Sequence, residues 1–386
     1  MVNGLAPELS ANTILPVDRS DAALVGRVWI DGPTPGPRIT AVRDDMLIDL
    51  SEITPTMADL LDRSDAVECV KTYKGAILGS IQCFLDKGAL LAPCDLQAIK
   101  AAGVTFVSSA IERVIEEQCQ GRSERAGEIR NTLRTALGNA LQEVVPGSLQ
   151  ARDLKKFLTE KQLWSQYLEV AIGPDPEIFT KAQPMSAVGC GADVGVHRQS
   201  QWNNPEAEIV LAISSAGSIV GASLGNDVNL RDIESRSALL LGKAKDNNAS
   251  CAIGPFIRLF DNRFRLDDVR SAEVQVTITG ADGFKETGVS SMGDMSRDPV
   301  ALTEATIGPS HQYPDGLMLF LGTTYTPASD RIKKGGGFTH KIGDAVRIES
   351  PKLGALENRV TTSDLAPPWR YGVRELMRSL AARRLL

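Results

Sequence analysis

From Ala171 to Val360 the chain is a succession of short β runs separated by Gly, Pro, Asn and Asp. Examples are Glu208 to Ile213, Ala272 to Ile278 and Leu317 to Leu321, each bounded by turn-forming residues. A helical insert from roughly Leu230 to Lys243 interrupts them. A chain patterned in this way is α+β and mainly β, with its chemistry held on strands and the turns between them.

The first half has a different texture. Gly26-Arg27-Val28-Trp29-Ile30 reads as a strand that stops at the proline- and glycine-rich segment Asp31 to Pro37. The stretch ending Leu90-Leu91-Ala92-Pro93-Cys94-Asp95 marks a boundary. It predicts a small N-terminal domain over 1–95 and a larger second domain over 96–386. From Ile111 to Val145 the pattern is helical, with Ile129, Leu133, Leu137, Leu141 and Val144 at helical spacing and Pro146-Gly147 ending the run. A second helix is predicted over Asp153 to Trp164. In the tail, Val373, Leu376, Met377 and Leu380 fall on one face of a packed amphipathic helix.

With 386 residues, 42% of them hydrophobic, the chain is long enough for a sizeable core or two domains. Its formal net charge of −6 lacks the concentrated basic face that nucleic acid demands. None of the six cysteines forms a CxxC pair, which fits reduced, buried thiols. The start Met1-Val2-Asn3-Gly4 has no basic segment leading into an apolar run, and no apolar run approaches a membrane span. These features predict a soluble, cytoplasmic protein with neither a membrane nor a nucleic acid as partner.

Three short segments carry chemistry. Asn203-Asn204-Pro205-Glu206-Ala207-Glu208 runs directly into an apolar strand. Residues two apart on a strand share a face, so Glu206 and Glu208 present adjacent carboxylates. Adjacent anions repel unless a cation sits between them, and a hard divalent ion with oxygen ligands answers that need; a solvated strand end is the plainer alternative. In Gly225-Asn226-Asp227-Val228-Asn229-Leu230-Arg231-Asp232 an acid follows a turn signal, and either Asp227 or Asn229 is also placed to cap a helix. In Leu241-Gly242-Lys243-Ala244-Lys245-Asp246-Asn247-Asn248 a lysine is available to move a proton or steady an oxyanion, unless it is simply a solvated loop lysine.

In order and spacing, these segments resemble the fumarylacetoacetate hydrolase superfamily. So do Phe179-Thr180-Lys181, Leu321-Gly322-Thr323, Lys341 to Val346 and Leu353 to Val360. The likeness covers roughly residues 96 to 386. It implies a mixed β-sandwich roll, assembled as a homodimer or homotetramer. It also implies a divalent metal (magnesium, with manganese or calcium as alternatives) held by Glu206, Glu208 and Asp227. Lys243 matches the active-site lysine, Lys181 a lysine of the same pocket, Arg231 an arginine near the metal, and Thr323 the threonine of a substrate-binding turn. Asn247 is placed with the substrate-binding residues.

One family segment departs. Where the family has Gly-x-Asn-Tyr-x-x-His-x-x-Glu, this chain reads Gly103 to Glu112, keeping Glu112 but placing Ser109 at the histidine. A serine cannot serve as a base near neutral pH. The change favours a reaction without a water nucleophile. Within the superfamily the resemblance is to the sugar-acid branch, and it implies dehydration of a 2-keto-3-deoxy-D-pentonate to 2,5-dioxopentanoate through a metal-stabilised enolate. Lys243 or Lys181 would take the proton, Glu112 would protonate the leaving hydroxyl, and Ser109 would contact substrate. An acylpyruvate-type hydrolase or decarboxylase, and a non-catalytic 2-oxo acid binder, are the alternatives. His197, His311 and His340 lie on separate segments without metal-ligand spacing and read as surface or hydrogen-bonded histidines. The Lys333-Lys334-Gly335-Gly336-Gly337 stretch lacks the spacing of a phosphate loop.

Overall fold

Every residue of Ala207–Ile213 is buried, so both faces of this strand must be covered. A computed structural model, which describes residues 9–106, 110, 111, 113–115, 117, 144–332 and 336–386, shows how. Sixteen strands are described: β1 (Leu24–Ile30), β2 (Gly36–Arg43), β3 (Met46–Asp49), β4 (Ile77–Ser80), β5 (Leu90–Leu91), β6 (Ala98–Gly103), β7 (Glu177–Ala182) and β8 (Asp193–Val196), then β9 (Ala207–Ile213), β10 (Ile219–Asp227), β11 (Cys251–Leu259), β12 (Glu273–Thr279), β13 (Lys285–Ser291), β14 (Leu317–Phe320), β15 (Ala345–Ser350) and β16 (Gly354–Thr362). Ten lie in the order β4-β3-β2-β1-β11-β10-β9-β14-β6-β7, with β5 added against β1. The other five form a second sheet, β13-β12-β15-β16-β8. Both sheets are mixed, because β14–β6 and β16–β8 are parallel pairs among antiparallel neighbours.

The period of two along β9 sorts its side chains between two cores. Ile209, Leu211 and Ile213 face the second sheet and pack with Val274, Val276, Ile348 and Leu356. Val210 and Ala212 face the other way, among Ile253, Ile257, Phe320 and the helix residues Met57, Leu60 and Val70. Glu208 stands on this second face, one step beyond Val210. The mainly β, two-sheet architecture agrees with the sequence reading.

Strand pairing continues across the boundary placed near residue 95, since β1 and β11 are antiparallel partners through Val25↔Ile257. The helix expected over 153–164 runs instead over Leu149–Glu160, because the Ser148 hydroxyl caps it by accepting from the Ala151 N–H. The insert at 230–243 is not one helix but three short pieces, Arg231–Glu234, a 3-10 turn Ala238–Leu240, and Leu241–Lys245. Helix Val373–Ala382 forms as expected. Leu376 and Leu380 are buried against Met185, whereas Val373 and Met377 remain substantially exposed. Most of the helix expected over 111–145 lies outside the described residues. None of the described helices is long and apolar enough to cross a membrane.

Candidate metal centre

The end of the β9–β10 ladder brings three carboxylates together. Glu206 and Asp227 are directly opposite and exchange backbone hydrogen bonds, Glu206 N–H to Asp227 O at 3.2 Å and Asp227 N–H to Glu206 O at 2.9 Å. Glu208 lies two residues further along β9, opposite Gly225. All three side chains therefore share one face, and an oxygen from each lies within 4.8 Å of the others. All three are buried. Gly225 makes the packing possible, because a Cβ there would meet Phe320 at 2.3 Å and Val210 at 2.5 Å. Asp227 ends a strand and Leu230 occupies the cap position of the next helix without a side-chain bond, so neither Asp227 nor Asn229 serves as a helix cap.

Cations reach this cluster from three segments. Lys181, fully buried on β7, places Nζ 2.9 Å from Asp227 Oδ1 and donates to Val228 O at 3.3 Å and to Lys245 O. Lys245 Nζ donates to Glu206 Oε2 and lies 3.1 Å from Asp227 Oδ2, above the Phe179 ring at 5.5 Å. Arg113 bridges Glu206 Oε1 and Glu234 Oε2, each at 2.7 Å. Asn229 Nδ2 also donates to Glu206 Oε1, at 3.1 Å.

Glu208 is served differently. It accepts the Gly322 N–H at 2.6 Å and the Thr323 hydroxyl at 3.5 Å, and no described cation forms an ion pair with it. Gly322 has φ +105, and a Cβ there would sit 1.9 Å from Thr105 Oγ1, so the turn that presents this N–H demands glycine.

The electrostatics follow from that inequality. Burial pushes Glu206 up, but the charges of Lys245 and Arg113 outweigh it and hold this carboxyl below its ordinary value. Glu208 is pushed well above the usual carboxylate range, by burial first and then by Asp227 and Glu206. Burial alone would favour neutral Lys245; Asp227 and Glu206 overcome it and hold the ammonium charged, above its ordinary value. Glu177, on the same face of β7 as Phe179 and Lys181, is pushed up to about 7 by burial and by Glu234. Its carboxylate occupies the space over Gly103, where a Cβ would fall 1.9 Å away.

Three buried carboxylates converge here, and burial and mutual repulsion push one of them, Glu208, well above the usual carboxylate range. Their donor set is all oxygen, which fits a hard divalent ion such as magnesium. Such an ion would supply the positive charge that Glu208 lacks.

The structure gathers some of the sequence-predicted residues and separates others. Glu206, Glu208, Asp227, Lys181 and Thr323 come together, and Arg231 is buried close enough for its charge to act on Glu206. Lys243 does not: it is exposed, and the lysine at the carboxylates is Lys245. Residues two apart on the helix Leu241–Lys245 point to nearly opposite sides, so only one of the pair can face inward. Asn247 closes that helix by donating to Lys243 O at 2.9 Å and lines a separate hollow of about 570 Å³ with Ser363 and Trp369. Ser109 and Glu112 lie outside the described residues. Sequence reasoning missed Lys245, Arg113, Glu177 and Glu234. Lys245 alone had a signal, the Gly-Lys-Ala-Lys repeat that offered two lysines.

Residues 158–361 match the fumarylacetoacetate (FAA) hydrolase C-terminal family, and the chain belongs to it. A Haloferax volcanii protein named "Probable 2-keto-3-deoxyxylonate dehydratase" is 25% identical over 333 residues, 84% of this chain and 96% of its own. The 2-dehydro-3-deoxy-D-arabinonate dehydratase of Saccharolobus solfataricus is 31% identical over 156 residues, 40% of this chain and 51% of that protein. Among solved structures, a 2-keto-3-deoxy-D-arabinonate dehydratase complexed with magnesium and 2,5-dioxopentanoate superposes with a TM-score of 0.62 at 22% identity, covering 88% of this chain and 99% of that one. The fumarylacetoacetate hydrolase of Exiguobacterium antarcticum gives 0.54 at 16% identity, covering 88% and 100%. These structural likenesses establish the shared fold.

Proposed function

We propose that the protein is a metal-dependent dehydratase of 2-keto-3-deoxy-D-pentonates, releasing water and 2,5-dioxopentanoate. The single observation that carries the reading is the cluster Glu206, Glu208 and Asp227, short of positive charge and flanked by a charged lysine and a glutamate poised near neutrality. The names of the relatives supply the substrate class, and the ligands of the superposed arabinonate dehydratase match what this donor set would accept.

A divalent ion bound by the three carboxylates supplies a fixed positive charge where negative charge develops on a 2-oxo acid. The chain's own residues supply the rest. Glu177, pushed up to about 7, exchanges a proton readily at neutral pH and is suited to take one from the carbon beside the keto group. Lys245 holds its proton too firmly to act as a base and instead steadies the developing oxyanion. Lys181 is a positioning residue: its bonds to Asp227 and to the Lys245 carbonyl fix the relation between β10 and the helix carrying Lys245. The hydroxyl on the following carbon leaves as water with a returned proton, forming a carbon–carbon double bond. A proton then moves from the terminal hydroxymethyl carbon to the carbon beside the keto group. The enol so formed becomes the aldehyde as its hydroxyl proton passes to the carbon that lost water. Every residue given a role falls within 96–386, and β1 of the preceding segment braces the edge of β11.

The test incubates purified protein and magnesium with 2-keto-3-deoxy-D-pentonate, with a chelator control, and assays 2,5-dioxopentanoate. Product that disappears with chelator is the expected result. Cleavage of an acylpyruvate instead would replace this reading with the hydrolase.

A further inference from the structure

Three side chains donate to Glu206, and they are divided unequally between its two oxygens. Oε1 accepts from Arg113 Nη2 at 2.7 Å and from Asn229 Nδ2 at 3.1 Å. Oε2 accepts from Lys245 Nζ, the same ammonium that lies 3.1 Å from Asp227 Oδ2. Each carboxylate oxygen offers about two lone-pair directions. Arg113 and Asn229 engage both of those on Oε1. Oε2 keeps one, and through Lys245 it shares a neighbour with Asp227.

Arg113 is itself held at both ends. Its Nη1 donates to Glu234 Oε2 at 2.7 Å, and Glu234 is a buried residue that ends the short helix Arg231–Glu234. A guanidinium is a rigid planar fork, so a carboxylate on each Nη atom fixes where it points. The backbone behind it is anchored as well. Residues 113–115 are helical, and Val114 and Ile115 are buried with Leu158, Leu168 and Ile172 in a third hydrophobic core. The helices Leu149–Glu160 and Gln166–Ile172 supply most of that core. Val104 packs into it too, just past the end of β6, with a φ of +55 that β-branched residues rarely adopt. A core separate from the two sheets thus delivers one guanidinium to the metal centre.

We propose that Arg113 is a positioning residue for the metal: braced by Glu234, it occupies Oε1 of Glu206 and fixes Oε2 as the one oxygen this carboxylate gives the ion. Hydrogen bonds that orient a ligating carboxylate contribute about 10- to 100-fold in metal affinity. Charge alone would act in the opposite direction, because a guanidinium beside a cation site repels the cation. The sign of a single substitution therefore separates the two effects. Lysine is no substitute, since a point charge has no fork to span both carboxylates. The inference rests on the metal centre in the reading above and is independent of which acid is the substrate.

The experiment is a manganese titration followed by electron paramagnetic resonance, with folding checked by circular dichroism. It compares metal-free wild type with Arg113→Gln, Arg113→Lys, Glu234→Gln and the double variant Arg113→Gln/Glu234→Gln. Arg113→Gln should weaken manganese binding about tenfold or more, and Arg113→Lys should recover less than about threefold of that loss. Glu234→Gln, nearly the same shape as the native residue, should cost about threefold by itself. It should cost nothing further once Arg113 is glutamine, because Glu234 acts through the guanidinium. Equal or tighter binding by Arg113→Gln, full recovery by Arg113→Lys, no loss from Glu234→Gln, or its full loss persisting in the double variant would overturn the proposal. Wild type that binds no manganese would overturn it together with the metal centre. The expected losses in a protein without dehydratase turnover would support the proposal and contradict the reaction alone.

Discussion

Two clusters of opposite charges sit in this molecule, one buried at the β9–β10 end and one that reaches the surface through Asp282 and Lys341, and they are wired differently. Around Arg331, two acids meet two cations: Arg331 contacts Asp282 at 2.5 Å and Asp344 at 2.7 Å, and Lys341 adds a contact to Asp282 at 2.8 Å. Side-chain hydrogen bonds from Arg331 and Lys341 hold the Asp282 carboxyl well below its ordinary range. Burial pushes Asp344 up, but bonds from His340, Lys341 and Arg331 outweigh it and leave this carboxyl lowered too. At the β9–β10 end, Lys245 is shared between Glu206 and Asp227, Arg113 between Glu206 and Glu234, and Glu208 goes up instead of down. The first arrangement is complete as it stands and serves stability. The second is incomplete, and incompleteness of that sign is what a cation-binding site looks like before its ligand arrives.

The comparison breaks most visibly by mutation of the incomplete cluster. Glu208→Gln should lower turnover by at least about 10³-fold and magnesium affinity by more than about 100-fold. Without metal, however, the variant should melt at the same temperature as wild type or above it, because it removes like-charge crowding; calorimetry with and without chelator reads both. Lys245→Met should cost turnover about 10²- to 10³-fold, while Lys243→Met stays within about twofold, since only the first lysine reaches the carboxylates.

Asp344→Asn in the complete cluster should do the reverse of Glu208→Gln, leaving magnesium affinity alone and destabilising the fold by about 3 kcal/mol in denaturant melts. The pH dependence sharpens the contrast further. Glu177 is raised from an ordinary value of 4.5 to about 7, so the folded state binds the extra proton between those values. Its contribution to metal-free stability is therefore full below about pH 4.5 and lost as pH rises through 7. Glu177→Gln should flatten that decline in melts taken from pH 5 to 8. The smallest effect belongs to Thr323→Val, which removes a long 3.5 Å contact to Glu208 and should raise KM about threefold with kcat nearly unchanged.

What could be read from the chain alone follows the range of the interactions. The Glu206–Glu208 pair was legible because strand periodicity is local, and two residues suffice to place two carboxylates on one face. The strands at 207–213, 273–279 and 317–320 were legible for the same reason. The choice between Lys243 and Lys245 was not, because it depends on which side of a five-residue helix faces β10. Glu177 carried no signal: it is an acid at the start of a strand, and its raised pKa comes from burial and then from Glu234, far along the chain. Nor could the pairing of β1 with β11 be read, since contacts more than 200 residues apart leave no periodic trace. His340 read as an ordinary surface or hydrogen-bonded histidine and is instead buried with Nε2 unpartnered among the described residues.

The central claim is that Glu206, Glu208 and Asp227 form a divalent-cation site, and manganese titration followed by electron paramagnetic resonance tests it without reference to any substrate. Wild type should bind one ion per chain and release it to excess magnesium, and Glu208→Gln should abolish that binding while its fold, by circular dichroism, is intact. Undiminished binding to a folded Glu208→Gln protein would contradict the account.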